Sequence, residues 1–248
     1  MRCNQTFNSV QSKLQSDKSM ASMDDAAPQP VWIIVGASRG IGLEFVRQVA
    51  ATGALVHATY RSKVPAAAEG LDVRWHQLDV LRRAHAEALA EAVGPWDVLV
   101  HNAGIKCADR GEMVRVNSLA PFTITDCLVP TAGAGAKLVL LSSQLGSRVK
   151  FGGGEDKVNG GHTPRDGYGK SKCLMNDCYR ESVKGWRELG VASCVVHPGW
   201  VATDMGGSSA PVTVEASVAG LRRVVASLAA GAPADGAFLT YEGEPHPW

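Results

Sequence analysis

The chain has 248 residues, 45% of them hydrophobic, and a formal net charge of +1. This length and hydrophobic content predict one large α/β domain or two small ones. The balanced charge excludes the basic surface that nucleic-acid binding requires, and no apolar run is long enough to span a bilayer. The six cysteines form no CxxC pair, so the sequence predicts no metal site and no disulfide framework, but reduced thiols inside a cell.

The first 30 residues are polar, rich in Ser and Gln, and have no periodic apolar face. We therefore predict a disordered extension over residues 1–30. It lacks the apolar core of a secretory signal. Its Ser-rich composition leaves an organellar transit peptide open, although Asp17, Asp24 and Asp25 argue against one. We expect a cytoplasmic protein.

Short apolar runs alternate with helix-compatible segments from Val31 to the end of the chain. In chain order they are the strand "VWIIVGAS", the helix "IGLEFVRQVAATG" that stops at Gly53, the strands "ALVHATY" and "DVRWHQLDV", the helix "RRAHAEALAEAVG", the strand "WDVLVHNAG", the helix "MVRVNSLAPFTITDCLV", the strand "AKLVLLSS", the helix "YGKSKCLMNDCYRESVKGWREL", the strand "VASCVVHPG", the helix "VEASVAGLRRVVASLA" and the strand "GAFLTY". Continuous apolar strands separated by helices are typical of a parallel sheet covered on both faces. The sequence predicts a single α/β domain over residues 31–248, with a Rossmann-type doubly wound parallel sheet.

A glycine-rich turn, "GASRGIG", joins the first strand to the first helix and contains Gly36, Gly40 and Gly42. Glycine lets the backbone approach a pyrophosphate, whose charge the helix N-terminus stabilises. The spacing is GxxxGxG rather than the commoner GxGxxG. A tight strand-to-helix connection explains these glycines as well, so the turn alone does not establish a dinucleotide site.

Charge around the second strand distinguishes NADP from NAD. No Asp or Glu occurs between Phe45 and Ala68, so no carboxylate is available there to bind a ribose 2′-hydroxyl. Arg61 follows the strand and Arg39 lies in the glycine turn. Two guanidinium groups near one 2′-phosphate favour NADPH, whereas solvated surface arginines are the alternative. Asp79 is placed to meet the adenine ring or to cap a helix.

Tyr168 and Lys172 lie four positions apart in "RDGYGKSK", where a loop gives way to helix-compatible sequence. This spacing puts them one helical turn apart. A nearby ammonium stabilises a phenolate and lowers the pKa of a tyrosine from its ordinary value near 10. A YxxxK match is common by chance, so its context has to decide its meaning.

Seven motifs give that context: "GASRGIG", "LDV", "HNAG", Asn117, "LLSS", "YGKSK" and "HPGWVATDM". In this order the chain resembles the short-chain dehydrogenase/reductase family over about residues 31–205. The segments "HPGWVATDMGGSSAPVTVEASVAGL" and "GAFLTYEGEPHPW" are similar to the C-factor/sniffer-like carbonyl reductases of that family. This second similarity extends to Trp248.

The resemblance implies a catalytic role for four residues: Asn117, Ser143, Tyr168 and Lys172. Ser143 orients the substrate carbonyl, and Tyr168 donates a proton to its oxygen while the nicotinamide supplies hydride. Lys172 tunes Tyr168 and holds the nicotinamide ribose. Asn117 holds a water that links Lys172 to solvent. The alternatives are that Ser143 bonds its own backbone and that Asn117 bonds a carbonyl.

The resemblance further implies an NADP cofactor and a small-molecule carbonyl substrate. The cofactor-binding residues are Gly36, Ser38, Arg39, Gly40, Ile41, Gly42, Arg61, Asp79, Val80, Asn102, Ala103, Gly104, Tyr168, Lys172, Pro198, Gly199, Val201 and Thr203. His101 stands where the family usually has asparagine, and we interpret it as structural.

Two spacings depart from the family pattern. Only 15 positions separate Asn102 from Asn117, so the helix that begins there must be short. Because this surface often forms a dimer interface in the family, a homo-oligomer is left open. Ser143 and Tyr168 are 25 positions apart, and the extra residues, about 150–165, are expected to border the substrate pocket.

A function of another class remains open beside the reductase. C-factor-like relatives are associated with signalling, so the chain could be a dinucleotide-binding sensor with little or no turnover. A sensor has no need of the four catalytic residues, and their presence favours the enzyme.

Overall fold

The computed structural model describes residues 29–151 and 167–248. The strands are β1 (Val31–Val35), β2 (Leu55–Tyr60), β3 (Arg74–Gln77), β4 (Trp96–His101), β5 (Ala132–Leu141), β6 (Ala192–His197) and β7 (Phe238–Thr240). The helices are α1 (Gly40–Ala50), α2 (Arg83–Val93), α3 (Arg110–Val114), α4 (Ala120–Leu128), α5 (Arg148–Phe151), α6 (Tyr168–Glu188) and α7 (Val214–Ser227). A π-helical turn, Arg115–Leu119, joins α3 to α4. Short 3₁₀ turns cover Ala66–Ala68, Val129–Thr131 and Gln144–Gly146.

The seven strands in the described part of the chain form one parallel sheet in the order β3-β2-β1-β4-β5-β6-β7. The order reverses between β1 and β4, whose register pairs Val35 with His101. Ligands of doubly wound sheets bind at the carboxyl ends of the strands beside such a reversal. The predicted fold class is confirmed, and the fold directs attention to the loops after β1 and β4.

Two apolar cores cover the two faces of the sheet. On one face α1 and α7 pack through residues such as Phe45 and Leu221. On the other face α2, α4 and α6 contribute Leu89, Ile124 and Tyr179. Burial of both faces explains why the central strands are continuously apolar rather than alternating.

Several element boundaries differ from the prediction, among them those of the first helix and of the fifth strand. The first helix ends at Ala50 rather than at Gly53, which instead closes a following turn with φ +78°. The fifth strand begins at Ala132, four residues before the predicted start at Ala136. Its pairing with β4 is irregular, and Gly135, with φ +75°, accommodates the irregularity because glycine tolerates positive φ.

Some expectations fall outside the described residues. They include nearly all of the predicted disordered extension and most of the segment at 150–165. Among the helices that are described, none is long and apolar enough to cross a membrane. The cytoplasmic location stays a prediction.

Candidate active site

The predicted site residues converge on one edge of the sheet. The glycine turn follows β1, "NAG" follows β4, Ser143 follows β5 and "PGWVAT" follows β6. Tyr168 is the first residue of α6. Because all strands are parallel, these loops share the carboxyl edge of the sheet, next to the point where the strand order reverses.

The turn after β1 requires glycine because other backbone lies against it. A Cβ on Gly36 would stand 2.7 Å from the Cα of Ala103, and Gly36 has φ +84°. A Cβ on Gly42 would stand 2.2 Å from the Gly36 carbonyl oxygen. Asn102 donates from Nδ2 to that same oxygen at 2.6 Å, which ties the turn to the loop after β4. These contacts form a narrow backbone cradle.

The N-terminus of α1 is free to bind an anion. Among the described residues, no side chain caps this helix, and its first turn contains no acidic residue. The first N–H groups of a helix lack intrahelical partners and carry the positive end of its dipole. The half-buried backbone at Ser38, Gly40 and Ile41 therefore fits a pyrophosphate, so the cradle fits the dinucleotide predicted from the sequence.

Arg39 and Arg61 are both exposed, but the structure gives Arg39 a partner that the sequence analysis missed. Arg39 Nη1 lies 2.8 Å from Asp204 Oδ2, with side chains 71% and 75% exposed. Asp204 belongs to the segment after β6. The sequence contains this aspartate within "HPGWVATDM", but nothing in its spacing predicts a partner 165 positions away.

The segment after β6 touches the glycine turn. A Cβ on Gly40 would stand 3.2 Å from the Thr203 methyl group. Gly199 has φ +91°, and its backbone packs against the ring of Tyr241. The predicted nicotinamide residues thus lie directly beside the predicted pyrophosphate residues.

Two further contacts secure this segment. The Pro198 carbonyl accepts a hydrogen bond from Ser217 Oγ at 2.6 Å, which joins it to α7. Val201 forms an isolated bridge with Val212, at the far end of the loop that begins at Gly206. The glycine-rich loop is therefore held at both ends.

Asp79 and Val80 lie in the turn before α2. Asp79 Oδ1 accepts from the Leu81 amide at 3.1 Å, while the N-cap of α2 is Arg82, so the alternative that Asp79 caps this helix is wrong. Val80 lines an open cleft of about 340 Å³ whose walls include Arg115. The predicted adenine contact therefore stands at the edge of a cleft.

Lys172 is buried beside the end of β4. Its side chain is 4% exposed, and Nζ donates to the Leu141 carbonyl at 2.7 Å. A Cβ on Gly104 would stand 3.7 Å from this Nζ and 3.3 Å from Asn117 Oδ1, so glycine allows the two side chains to lie close together. Desolvation lowers the pKa of Lys172 to about 8.

Asn117 lies within the π-helical turn between α3 and α4. Such turns are frequent at functional sites. Its amide exchanges two hydrogen bonds with the Ile105 backbone, each 2.8 Å, so the structure shows the predicted alternative, in which Asn117 bonds a carbonyl. Asn117 Nδ2 further donates to Ser171 Oγ at 3.0 Å, and Ser171 donates to the Tyr168 carbonyl. Asn117 is thereby linked to the first turn of α6.

Ser143 caps the 3₁₀ turn that follows β5. Its Oγ accepts from the Leu145 amide at 3.2 Å, which is the backbone bond that the sequence analysis kept as an alternative. Because this bond uses Oγ as an acceptor, the hydroxyl proton is left to be donated. The cap therefore fixes Ser143 in a geometry that is compatible with orienting a carbonyl.

The chain is similar in sequence and in structure to known proteins. A sequence profile of the family described as short chain dehydrogenase matches residues 30–212. The chain belongs to this family. It is 33% identical over 167 residues to the C-signal of Myxococcus xanthus, an alignment that covers 62% of this chain and 94% of that protein.

Solved structures extend the similarity. The NADPH-bound carbonyl reductase from chicken fatty liver is 28% identical, with a TM-score of 0.76, and the match covers 89% of this chain and 99% of that one. A carbonyl reductase from Pseudomonas aeruginosa PAO1 in complex with NADP is 31% identical, with a TM-score of 0.73, over 89% and 100% of the two chains. The resemblance stated from the sequence is confirmed.

His101 of this short-chain dehydrogenase is buried, and Lys172 is close enough for its charge to act on the imidazole. Thr125 donates its hydroxyl proton to the Pro121 carbonyl, so Thr125 Oγ1 accepts from His101 Nε2–H at 2.9 Å. Desolvation, and secondly the charge of Lys172, lowers the pKa of His101 to about 3. The imidazole is therefore neutral at ordinary pH and adds no second charge beside Lys172.

Asn176 is a further residue that sequence analysis missed. Its Oδ1 accepts from Ser142 Oγ at 2.7 Å, and its Nδ2 donates to the Gly146 carbonyl at 3.2 Å. Asn176 therefore connects α6 to the residue just before Ser143 and to the residue three positions after it. In the sequence, the one feature that could have pointed to Asn176 is its position one helical turn after Lys172, on the same helix face.

Proposed function

We propose that this short-chain dehydrogenase reduces a ketone or an aldehyde with NADPH. The observation that carries the proposal is the buried ammonium of Lys172, one helical turn from Tyr168 and close to Asn117. Burying a cation is costly, so a buried lysine at the cofactor edge of the sheet, one helical turn from a tyrosine, supports a catalytic role.

The chain's own residues would manage the carbonyl oxygen. A bound reduced nicotinamide supplies hydride to the carbonyl carbon. Ser143 donates its free hydroxyl proton in a hydrogen bond to the oxygen and so orients the substrate. As the carbon–oxygen π bond breaks, Tyr168 transfers its phenolic proton to that oxygen, and the product is an alcohol.

Lys172 makes Tyr168 acidic enough for this step. Bringing the pKa of a phenol from near 10 toward 7 requires about 4 kcal/mol of preferential stabilisation of the phenolate. With a pKa of about 8, Lys172 is mostly protonated at neutral pH and supplies charge of the right sign. We assign to Asn117 the water through which Lys172 and Tyr168 regain a proton from solvent.

NADPH is the proposed cofactor for two reasons. The end of β2 carries the exposed cation Arg61 rather than a carboxylate, which suits a 2′-phosphate. Carbonyl reductases that share this fold at 28% and 31% identity hold NADPH and NADP. Arg39 adds a second cation nearby once it leaves Asp204.

The test compares wild type with Tyr168→Phe and with Tyr179→Phe, a control that removes a buried phenol farther along α6. Oxidation of NADPH is followed across a panel of ketones, aldehydes and quinones. Loss of general acid catalysis should lower the kcat of Tyr168→Phe by about 10²-fold or more, with an unchanged Kd for NADPH. Full turnover by Tyr168→Phe contradicts the proposed role.

A second candidate is a dinucleotide-binding signalling protein. Its supporting observation is the 33% identity to the C-signal of Myxococcus xanthus. The same panel separates the two functions. A sensor binds NADPH tightly and turns over no carbonyl compound, whereas a reductase consumes NADPH in proportion to the alcohol formed.

A further inference from the structure

Trp248 packs against the apolar core that α2, α4 and α6 form on one face of the sheet. Its ring stacks on Tyr179 of α6, with centroids 5.9 Å apart, and lies 5.4 Å from Phe238 of β7. The guanidinium carbon of Arg180 lies 5.7 Å from the ring centroid. Aromatic and cation–π contacts of this kind fix the ring on two separate elements.

The main chain of Trp248 holds the segment that leads into α5. Its oxygen accepts from the Val149 amide at 2.8 Å and from Ser147 Oγ at 3.2 Å. Ser147 is fully buried, and its Oγ also accepts from the Lys150 amide at 3.1 Å. Trp248 is thus bound to residues only a few positions after Ser143.

Those residues form one compact turn with Ser143. Gly146 donates its amide to the Ser143 carbonyl at 2.9 Å, and Ser147 donates to Gln144 at 3.1 Å. A Cβ on Gly146 would stand 3.1 Å from the Lys172 carbonyl carbon, so the turn lies directly on the backbone of α6. A displacement of Ser147 therefore moves the Leu145 amide that fixes Ser143 Oγ.

Two sets of contacts hold the turn. Asn176 of α6 bonds the Gly146 carbonyl, and Arg148 forms an ion pair with Asp177 of the same helix. The second set runs to Trp248, whose ring contacts β7 as well as α6. Through Trp248 the turn is therefore connected to β7 as well as to α6.

We propose that Trp248 is a positioning residue for Ser143: its ring anchors on α6 and β7, and its main-chain oxygen sets the turn that aims the Ser143 hydroxyl. This inference rests on the proposed carbonyl reduction. None of the contacts described for Trp248 involves the glycine turn, so we expect a change at Trp248 to affect the chemical step through Ser143 rather than cofactor binding.

The experiment uses the full chain with Trp248→Ala, Trp248→Phe, Ser147→Ala and the control Trp32→Ala. Trp32 is a tryptophan of β1 that packs on the opposite face of the sheet. Misplacing Ser143 should lower the kcat of Trp248→Ala by about 10-fold, with the Kd for NADPH unchanged. Trp248→Phe, which keeps an aromatic ring, should recover most of the rate, and Ser147→Ala should lose less than Trp248→Ala.

A second readout separates positioning from general stability and from failure of the proposed function. Amide hydrogen exchange at Leu145 and Val149 should accelerate in Trp248→Ala and not in Trp32→Ala. If wild type reduces no carbonyl compound, the proposed function fails, and exchange at these two amides alone decides the positioning. Unchanged exchange, or an equal loss of kcat in Trp32→Ala, overturns the inference.

Discussion

The two halves of the cleft are built from different materials. The half after β1 consists of backbone, with Gly36 and Gly42 packed against "NAG" and few side-chain bonds. The half around β5 and α6 consists of buried polar side chains, including Asn117, Lys172 and Asn176. The first half tolerates no added atom, and the second tolerates no unpaired group, because a buried polar group without a partner is costly.

The backbone half is most sensitive to size, and Gly42→Ala should have the largest effect on stability. Its Cβ would stand 2.2 Å from the Gly36 oxygen and 2.5 Å from Asn102 Nδ2, so the turn must shift. We expect a loss of about 3 kcal/mol in the free energy of unfolding, measured by urea denaturation.

Gly185→Ala is the matched control for this change. Gly185 lies within α6, and its added Cβ meets nothing within 4 Å. Alanine is a better helix former than glycine, so this variant should be more stable by about 0.5–1 kcal/mol. Equal effects of the two substitutions would contradict the cradle described for the backbone half.

The same contrast explains what the sequence could predict. The glycines and the Tyr168–Lys172 pair follow local spacing, since each acts within one turn or one helix, and the alternation of elements predicts the sheet. The Arg39–Asp204 pair and the bonds from Trp248 to Ser147 join residues more than a hundred positions apart. Such pairs have no recurring sequence spacing, so they could not be predicted from the sequence and are seen only in the folded structure.

Acid sensitivity is expected beside the polar half, where His101 is buried near Lys172, and His101→Asn tests this. Desolvation lowers the pKa of His101 in the folded chain to about 3, whereas the pKa of a histidine in the unfolded chain is near 6.5. Between these two pH values the unfolded chain therefore binds a proton at His101 and the folded chain does not. Stability is therefore intact above pH 6.5 and falls between about 6.5 and 3, by up to roughly 1.4 kcal/mol per pH unit for this group.

Asparagine removes this titration and can still donate a hydrogen bond toward Thr125. Between pH 6.5 and 4.5, the free energy of unfolding of His101→Asn should decline less steeply than that of wild type, as followed by urea denaturation at several pH values. Burial also lowers the pKa values of His57 and His197 to about 4, and these two histidines remain in both proteins. Identical slopes would show that His101 is not the source of acid sensitivity.

The smallest effect is expected where the two halves meet in solvent, at Arg39 and Asp204. Both side chains are exposed, so their ion pair contributes at most about 1 kcal/mol. If Asp204 competes with the 2′-phosphate for Arg39, Asp204→Asn should tighten NADPH binding by about twofold to fivefold and leave the Kd for NADH unchanged. The gain should vanish in an Arg39→Ala background, because the competition then has no cation to act on. Equal weakening of both cofactors in Asp204→Asn would show instead that the pair closes over the bound dinucleotide.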